Sequence, residues 1–281
     1  MARDSQIEWT HHTFNPWWGC AKVSPACDNC YAELWAKRMG HQIWGQKAAR
    51  RFFSDSHWNG PRLWNQEAMA ARRRERVFCA SMADVFERRA ELNEARTRLW
   101  RLIEQTPWLD WLLLTKRPQN VEGMIPWEKN WPANIWLGTT IENQTFAEKR
   151  LPFLLKQPAA VRFLSCEPLL GPIDLRHWFR RRGLKPIDWV IAGGESGHGA
   201  RPMHPDWATS ILRQCQEFDV PFHFKQWGHW VPAGFIEDEG VASPQLVRFK
   251  DELPVNMVRL PKKIAGRILE GTTWDGVPVP I

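Results

Sequence analysis

Six short apolar runs recur along the chain, and each is followed at once by polar residues. They are 77-VFCASMAD-84, 111-WLLLTKRP-118, 135-IWLGTTIEN-143, 161-VRFLSCEP-168, 189-WVIAGGES-196 and 222-FHFKQWG-228. Their starts lie 24 to 34 residues apart, close to the ~30 residues that a strand, a helix and their connections need. Continuous apolar runs of this length are typical of strands buried on both faces of a parallel sheet.

Helical patterns fill several of the gaps between these runs. Residues 87–105 place the apolar side chains of Leu92, Leu99, Leu102 and Ile103 near one face. Residues 205–218 begin with Pro and Asp, which favours a helix N-terminus. Residues 173–182 predict a short helix that ends at Gly183, whereas Pro152 interrupts the pattern over 144–157.

With an earlier short strand near residues 13–17, the chain has six or seven βα steps. We therefore predict an α/β fold, a partial or complete parallel βα barrel, as one domain over residues 1–281. An insertion over about 40–76 is rich in Arg and Trp, and an irregular C-terminal extension covers about 229–281. The alternative is an open doubly wound sheet, but its Gly-x-Gly-x-x-Gly loop is missing from the sequence.

The polar residues after each run are the candidate site, because active sites of such barrels lie at the carboxyl ends of the strands. We expect one mouth to gather the following side chains: Cys20, Cys27, Cys30, Asp84, Lys116, Arg117, Glu142, Asn143, Glu167, Glu195, Ser196, Lys225 and Gln226.

The charge balance points to a polyanionic partner. The chain has 38 basic and 31 acidic residues, a net charge of +7, and 19 Trp against one Tyr. Basic clusters attract polyanions, and Trp can stack on bases, although most Trp residues should lie in the core. The candidate nucleic-acid contacts are Arg50, Arg51, Arg72, Arg73, Arg74, Arg117, Arg180, Arg181 and Arg182.

Location and redox compartment follow from what the sequence lacks. No apolar run reaches the ~18 residues of a membrane span, and the start has no apolar signal core, so we expect a cytoplasmic protein. Six Cys are too sparse for a disulfide scaffold, so clustered thiols in a reducing compartment indicate metal or redox chemistry.

Three of the six Cys form the motif C-x6-C-x2-C, with Cys20, Cys27 and Cys30. Three thiolates suit a tetrahedral zinc, with His11 or His12 as a fourth ligand. They equally suit three irons of a [4Fe–4S] cluster whose fourth iron stays open, and free or redox thiols are the third alternative. The spacing alone does not choose, but a loop after the first barrel strand is where an open-iron cluster would meet a substrate.

A family resemblance extends these observations. The stretch NPWWGCAKVSPACDNCYA, followed by SMADVF, LLLTKRP, WLGTTIENQ, SCEPLLGPI, GGESG and FKQWG, resembles the phage- and prophage-associated three-Cys-motif family, which is regarded as related to radical S-adenosylmethionine (SAM) enzymes. The resemblance covers about residues 9–274. It implies a partial barrel, a [4Fe–4S] cluster on the three Cys, and SAM at the open iron.

The Cys loop departs from the usual radical SAM pattern, C-x3-C-x2-C with an aromatic residue before the last Cys. Here the first gap has six residues, Asn29 precedes Cys30, and the aromatic residue, Tyr31, follows it. The iron–sulfur chemistry is therefore inferred from the resemblance and not from the loop spacing itself.

The resemblance also implies roles for the strand ends. The SAM amino group would be met between Ser81 and Asp84, and the ribose by Glu142 and Asn143. The run GGESG resembles the Gly-Gly-Glu motif that contacts the SAM amino group; its residues are Gly193, Gly194, Glu195 and Ser196. The alternative for this run is a tight βα turn.

Lys116 and Arg117 would neutralise the SAM carboxylate or a substrate phosphate, with a strand-end ion pair as the alternative. The candidate catalytic residues are Tyr31, Glu167, Lys225 and Gln226.

The leading hypothesis is a radical SAM enzyme. Its reduced cluster, supplied by an electron donor, would cleave SAM to a 5′-deoxyadenosyl radical that acts on a nucleic acid, in DNA repair or modification. One alternative is a non-enzymatic zinc or Fe–S protein that binds nucleic acid. The other is a barrel hydrolase that uses Glu142, Glu167 or Glu195 as acid and base.

Overall fold

Seven strands form the central sheet of this computed structural model, which describes residues 2–180, 187–235, 245–249 and 252–279. They are β1 (His12–Thr13), β2 (Glu75–Cys79), β3 (Leu109–Thr115), β4 (Ile135–Thr140), β5 (Val161–Cys166), β6 (Trp189–Gly193) and β7 (Phe222–Gln226). Each apolar run of the sequence overlaps one of the strands β2 to β7. The predicted α/β fold is confirmed.

The strands run parallel and follow one another across the sheet in chain order, from β1 to β7. His12 of β1 lies opposite Val77 of β2, and Val190 of β6 lies opposite Phe222 of β7. A doubly wound sheet reverses its strand order at a switch point, and the described strands show no reversal. The chain therefore has the partial parallel βα barrel and not the alternative fold.

Helices connect most of the strands. They are α1 (Tyr31–Arg38), α2 (Asp55–Ala70), α3 (Asn93–Glu104), α4 (Gln144–Leu154), α5 (Arg176–Phe179), α6 (Pro205–Glu217) and, near the C-terminus, α7 (Lys262–Ala265). The predicted apolar face of α3, including Leu99 and Ile103, is buried. At the start of α6 the side chain of His204 accepts a hydrogen bond from the backbone N–H of Asp206, which satisfies one free donor of the first turn.

Three segments differ from the sequence pattern. Pro152 lies within α4, two residues from its end, where the hydrogen bond that Pro cannot make is lost without breaking the helix. Helix α2 fills much of the insertion. The C-terminal extension contains an antiparallel sheet in the order β8-β10-β9, formed by β8 (Trp230–Pro232), β9 (Gln245–Val247) and β10 (Val255–Arg259). The predicted helix end at Gly183 lies outside the described residues.

The chain divides into two compact units. The first consists mainly of Met1–Thr140 and Arg150–Phe163, and the second of Ile141–Lys149 and Leu164–Pro278. The first unit buries Trp17 and Trp111 completely, and the second buries Trp189. Ten of the 19 Trp residues are buried, so the high Trp content mainly reflects the core, as expected.

None of the helices within the described ranges combines the length and the apolar character that a membrane crossing requires.

Candidate functional site

The three Cys of the motif lie in the loop that follows β1 and leads into α1. Cys27 ends a short 3-10 turn, Pro25–Cys27, and Cys30 immediately precedes α1. All three are free thiols and half-buried. Gly19 begins this loop with a φ of +112°, and a Cβ there would lie 2.4 Å from the carbonyl oxygen of Ile43. Only glycine fits this position without strain.

A buried guanidinium lies against the first Cys. Nη1 of Arg117 is 3.6 Å from Sγ of Cys20 and 2.8 Å from Oδ2 of Asp84. Nη2 of Arg117 donates to the carbonyl oxygen of Ala21 at 2.8 Å. Because a nearby cation favours a thiolate over a thiol, Arg117 is placed to stabilise negative charge on this sulfur.

Asp84 holds Arg117 in this position, and both of its oxygens are fully used by protein donors. Oδ1 accepts from the backbone N–H of Phe86 at 3.0 Å and from the hydroxyl of Thr115 at 2.8 Å. Oδ2 accepts from the backbone N–H of Lys116 at 3.1 Å and from Arg117. In this structure Asp84 therefore positions Arg117, and its predicted contact with the SAM amino group stays a prediction.

Burial raises the pKa of two of these thiols, Cys20 and Cys30. Desolvation raises the pKa of Cys20 to about 12, although the charge of Arg117 acts in the opposite direction. Desolvation also raises the pKa of Cys30, against the effect of the Lys116 ammonium. Such thiols are protonated at neutral pH, so metal ligation would displace their protons.

The donor set fits an iron–sulfur cluster in chemistry and number, since three thiols free of disulfides stand in one half-buried loop. The three thiols do not converge on one point in this structure. Within the described part of the chain, no three His, Cys, Asp or Glu side chains are close enough together to hold a metal ion. A cluster bound here would therefore need the three sulfurs to lie closer to one another than they do in this structure.

The two His residues considered as a fourth zinc ligand are engaged elsewhere. Nε2 of His12 is 2.8 Å from Oε2 of Glu75, the first residue of β2. Nδ1 of His11 accepts from the backbone N–H of Arg76 at 2.8 Å. Both contacts lie at the amino end of β2, whereas the Cys loop follows the carboxyl end of β1. A zinc site that includes either His is not supported.

Asn15 organises the segment after β2, and the sequence analysis did not single it out. Its Nδ2 donates to Oγ of Ser81 at 3.0 Å, and its Oδ1 accepts from the backbone N–H of Met82 at 2.6 Å. The hydroxyl of Tyr31 donates to the carbonyl oxygen of Ser81 at 2.9 Å. The segment after β2 is thereby linked to Tyr31, the residue after Cys30. The cofactor role of Ser81 and the catalytic role of Tyr31 stay predictions.

In the second unit, the first two glycines of GGESG allow close packing at the ends of β6 and β7. A Cβ at Gly194 would lie 1.9 Å from the carbonyl oxygen of Trp227, and one at Gly193 would lie 3.1 Å from Oε1 of Glu167. These glycines therefore have a packing role within the protein, which agrees better with the tight-turn alternative.

Glu195 of the same run binds an arginine of its own loop. Its carboxylate accepts from the backbone N–H of Arg201 at 2.8 Å, from Nε at 2.9 Å and from Nη2 at 2.6 Å. Arg201 follows no apolar run, so no strand-end pattern could have identified it. Ser196, the next residue, is half-buried.

A second ion pair joins the ends of β5 and β7. Nζ of Lys225 is 3.0 Å from Oε1 of Glu167, and both side chains are largely buried. The neighbouring Gln226 donates weakly from Nε2 to the carbonyl oxygen of Gly194 at 3.4 Å. Its Oε1 is buried and has no hydrogen-bond partner among the described residues. A buried acceptor needs a donor, which a water or a ligand can provide.

Glu142 and Asn143 lie between β4 and α4. Glu142 is completely buried, and its carbonyl oxygen accepts from the backbone N–H of Leu170 at 2.7 Å. Oδ1 of Asn143 accepts from the backbone N–H of Phe146 at 3.2 Å, which makes it the N-terminal cap of α4. Their predicted contact with the SAM ribose stays a prediction.

Two of the predicted nucleic-acid contacts, Arg50 and Arg117, are buried in this structure, and their contact with a phosphate stays a prediction. Arg50 forms a bidentate ion pair with Glu87, at 3.0 and 2.7 Å, and also donates to loop carbonyls. Arg117 is held by Asp84 beside Cys20. For Arg117, the strand-end ion pair given as the alternative is what the structure contains.

Most of the other predicted arginines lie away from the Cys loop or outside the described residues. The run Arg72, Arg73 and Arg74 precedes β2, at the opposite end of the strands from the Cys. Arg180 is exposed and pairs with Glu217 at 3.5 Å. Arg181 and Arg182 lie outside the described residues. Among the predicted arginines within the described residues, Arg51 is exposed and packed next to the loop, since its backbone pairs with that of Trp18.

Comparisons with known proteins give a family but not an activity. A search of curated proteins found no match. The solved structure of a mutant of spore photoproduct lyase is similar, with a TM-score of 0.44 and 13% sequence identity, over 92% of this chain and 72% of that chain. The family model described as "Protein of unknown function (DUF5131)" matches residues 4–278. The chain belongs to the DUF5131 family.

Proposed function

We propose that this protein is a radical SAM enzyme that holds a [4Fe–4S] cluster on Cys20, Cys27 and Cys30 and acts on a nucleic acid, in DNA repair or modification. The observation that carries the proposal is the position of three free thiols, directly after the first strand of a parallel βα sheet. The carboxyl ends of such strands are where cofactors and substrates bind. A purely structural zinc has no comparable reason to lie there.

The chain's own residues suit the charge of such a cofactor. Three thiolates would leave one iron open, and a bound cluster would supply the electron that cleaves SAM and so generates the radical that abstracts hydrogen from the substrate. Arg117 would offset the negative charge on Cys20. The ammonium of Lys116 favours the thiolate form of Cys30. The same ammonium could pair with the carboxylate of a bound SAM.

Anaerobic reconstitution tests the proposal. We expect about four iron and four sulfide per chain and an electron paramagnetic resonance signal that SAM perturbs. Cys20→Ser, Cys27→Ser and Cys30→Ser should each lose most of the iron. Cys215→Ala, which alters a buried thiol of α6, is the matched control and should keep it. One tightly held zinc without any response to SAM would overturn the proposal in favour of the zinc alternative.

The hydrolase alternative receives less support. Glu167 and Glu195 are each ion-paired, to Lys225 and Arg201, so neither is left free as an acid or base. If the protein were nevertheless a hydrolase, Cys30→Ala would leave turnover intact, whereas a radical SAM enzyme would lose it. The proposed reaction also needs an electron donor as a partner, and a chemical reductant can replace it in this assay.

A further inference from the structure

Helix α1 carries its large apolar side chains on the outside. Its inner face consists of Ala32 and Ala36, which are buried in an apolar cluster with Ile43 and Met82. Its outer face is 40 to 56% exposed and consists of Tyr31, Leu34, Trp35 and Met39. A surface helix normally has the reverse arrangement. An exposed apolar face of this kind marks an interaction site.

An arginine and two aromatic rings extend this face beyond the helix. The ring of Trp18 packs edge-on against Trp35 and Phe53, with centroids 5.0 and 5.3 Å apart. The guanidinium of the exposed Arg51 lies over both Trp18 and Phe53, at 4.6 and 5.2 Å from the ring centroids. A cation is thus held against two aromatic rings.

The charge of this surface is positive. Between residues 18 and 53, five basic residues are exposed, Lys22, Lys37, Arg38, Lys47 and Arg51. The acidic residues of this segment are the exposed Asp28 and the half-buried Glu33. Glu33 is already shared by Lys22 and Lys37, at 3.1 and 2.7 Å. Cations interleaved with exposed rings match a polyanion that carries aromatic groups.

We propose that this aromatic–cationic face, formed by Trp18, Tyr31, Trp35, Arg38 and Arg51, binds an unpaired stretch of nucleic acid. Bases stack on the exposed rings of Tyr31 and Trp35, and phosphates contact Arg38 and Arg51, the latter supported by the half-buried ring of Trp18. An unpaired strand fits because its bases present free π-faces, which a duplex hides. Because Tyr31 directly follows Cys30, the bound strand lies beside the Cys loop. This inference rests on the proposed function and names the form of its substrate.

Binding of a fluorescein-labelled 12-nucleotide single-stranded DNA, followed by anisotropy at several salt concentrations, tests the proposal. Trp35→Ala should weaken binding about 5- to 150-fold, since stacking on one base is lost. Arg51→Met keeps the packing on the rings but removes the charge, and should lower the salt slope by about 0.7. Leu63→Ala and Arg101→Met change exposed residues outside this face and should leave binding unchanged.

Three outcomes would overturn the proposal. The first is a Trp35→Ala variant that binds as tightly as the unaltered protein, or loses no more than Leu63→Ala. The second is equal affinity for a blunt duplex of the same sequence. The third is a dimer in sedimentation experiments that Trp35→Ala dissociates, since a second copy would then be the occupant.

The iron content of each variant separates this inference from the proposed function. Strand binding that depends on Trp35 in a protein that assembles no cluster would support the surface and overturn the enzyme. A fully assembled cluster with strand binding that is insensitive to Trp35 would overturn the surface alone.

Discussion

Removing the charge of Asp84 tests the contact that places a cation beside the first Cys. The side chains of Asp84 and Arg117 are only 7% and 8% exposed, and their closest atoms are 2.8 Å apart. Asp84→Asn keeps the shape of the side chain but removes its charge. Its NH2 group would then face the guanidinium of Arg117 or the backbone N–H groups that now donate to Asp84. Arg117 is then a buried cation without a counter-ion.

The expected loss is about 3–5 kcal/mol in the free energy of unfolding, the usual cost of breaking a buried pair by removing one partner. With a urea m-value of about 3 kcal/mol/M, the midpoint should fall by roughly 1 M or more. Glu270→Gln is the matched control, because its pair with Arg213 is exposed. Pairs of that kind contribute at most about 1 kcal/mol.

Urea unfolding followed by Trp fluorescence measures both variants, and the double variant Asp84→Asn with Arg117→Met checks the cause. If an uncompensated charge is responsible, removing that charge as well should recover much of the loss. A double variant as unstable as Asp84→Asn would refute the electrostatic reasoning. So would an Asp84→Asn midpoint equal to that of Glu270→Gln.

Two further changes probe the packing and the titration. Gly194→Ala should lower the melting temperature sharply or prevent folding, because the added Cβ would lie 1.9 Å from the carbonyl oxygen of Trp227. Gly234→Ala is the control, since no atom of the described residues lies within 4 Å of a Cβ at Gly234. Equal melting temperatures of the two variants would contradict the packing role of Gly194. Burial lowers the pKa of His11 from 6.5 to about 4, so its stabilising contribution is complete above pH 6.5 and is lost as the pH falls through 4. His11→Asn keeps an acceptor for the backbone N–H of Arg76 and removes the titrating ring, so the urea midpoint should depend less on pH between 4 and 6.5. A pH dependence equal to that of the unaltered protein would count against this role of His11.

The fold could be predicted from the sequence because strand burial leaves a local signal. A strand covered on both faces needs consecutive apolar residues, and β3 to β6 each show such a run. The order of the strands could also be predicted from the chain order, since successive βα units usually place neighbouring strands side by side in a parallel sheet. The C-terminal sheet β8-β10-β9 was missed because its strands are short and partly exposed, so no continuous apolar run marks them.

The partners of charged side chains could not be predicted, because they depend on contacts between distant residues. Arg50 and Arg51 are adjacent and look alike in the sequence, yet Arg50 is buried against Glu87 and Arg51 is exposed on Trp18. A run of charges shows that cations are present but not which way each one points. For the same reason, helical periodicity alone did not reveal that α1 buries its alanines and exposes Trp35.

The long first gap of the C-x6-C-x2-C motif has a structural explanation. The residue after Cys20, Ala21, gives its carbonyl oxygen to Arg117, and the 3-10 turn Pro25–Cys27 occupies the end of the gap. The gap thus accommodates a backbone contact with a cation that lies 96 residues further along the chain. Spacing within the motif leaves its chemistry open because the group that sets the charge at Cys20 comes from the end of β3.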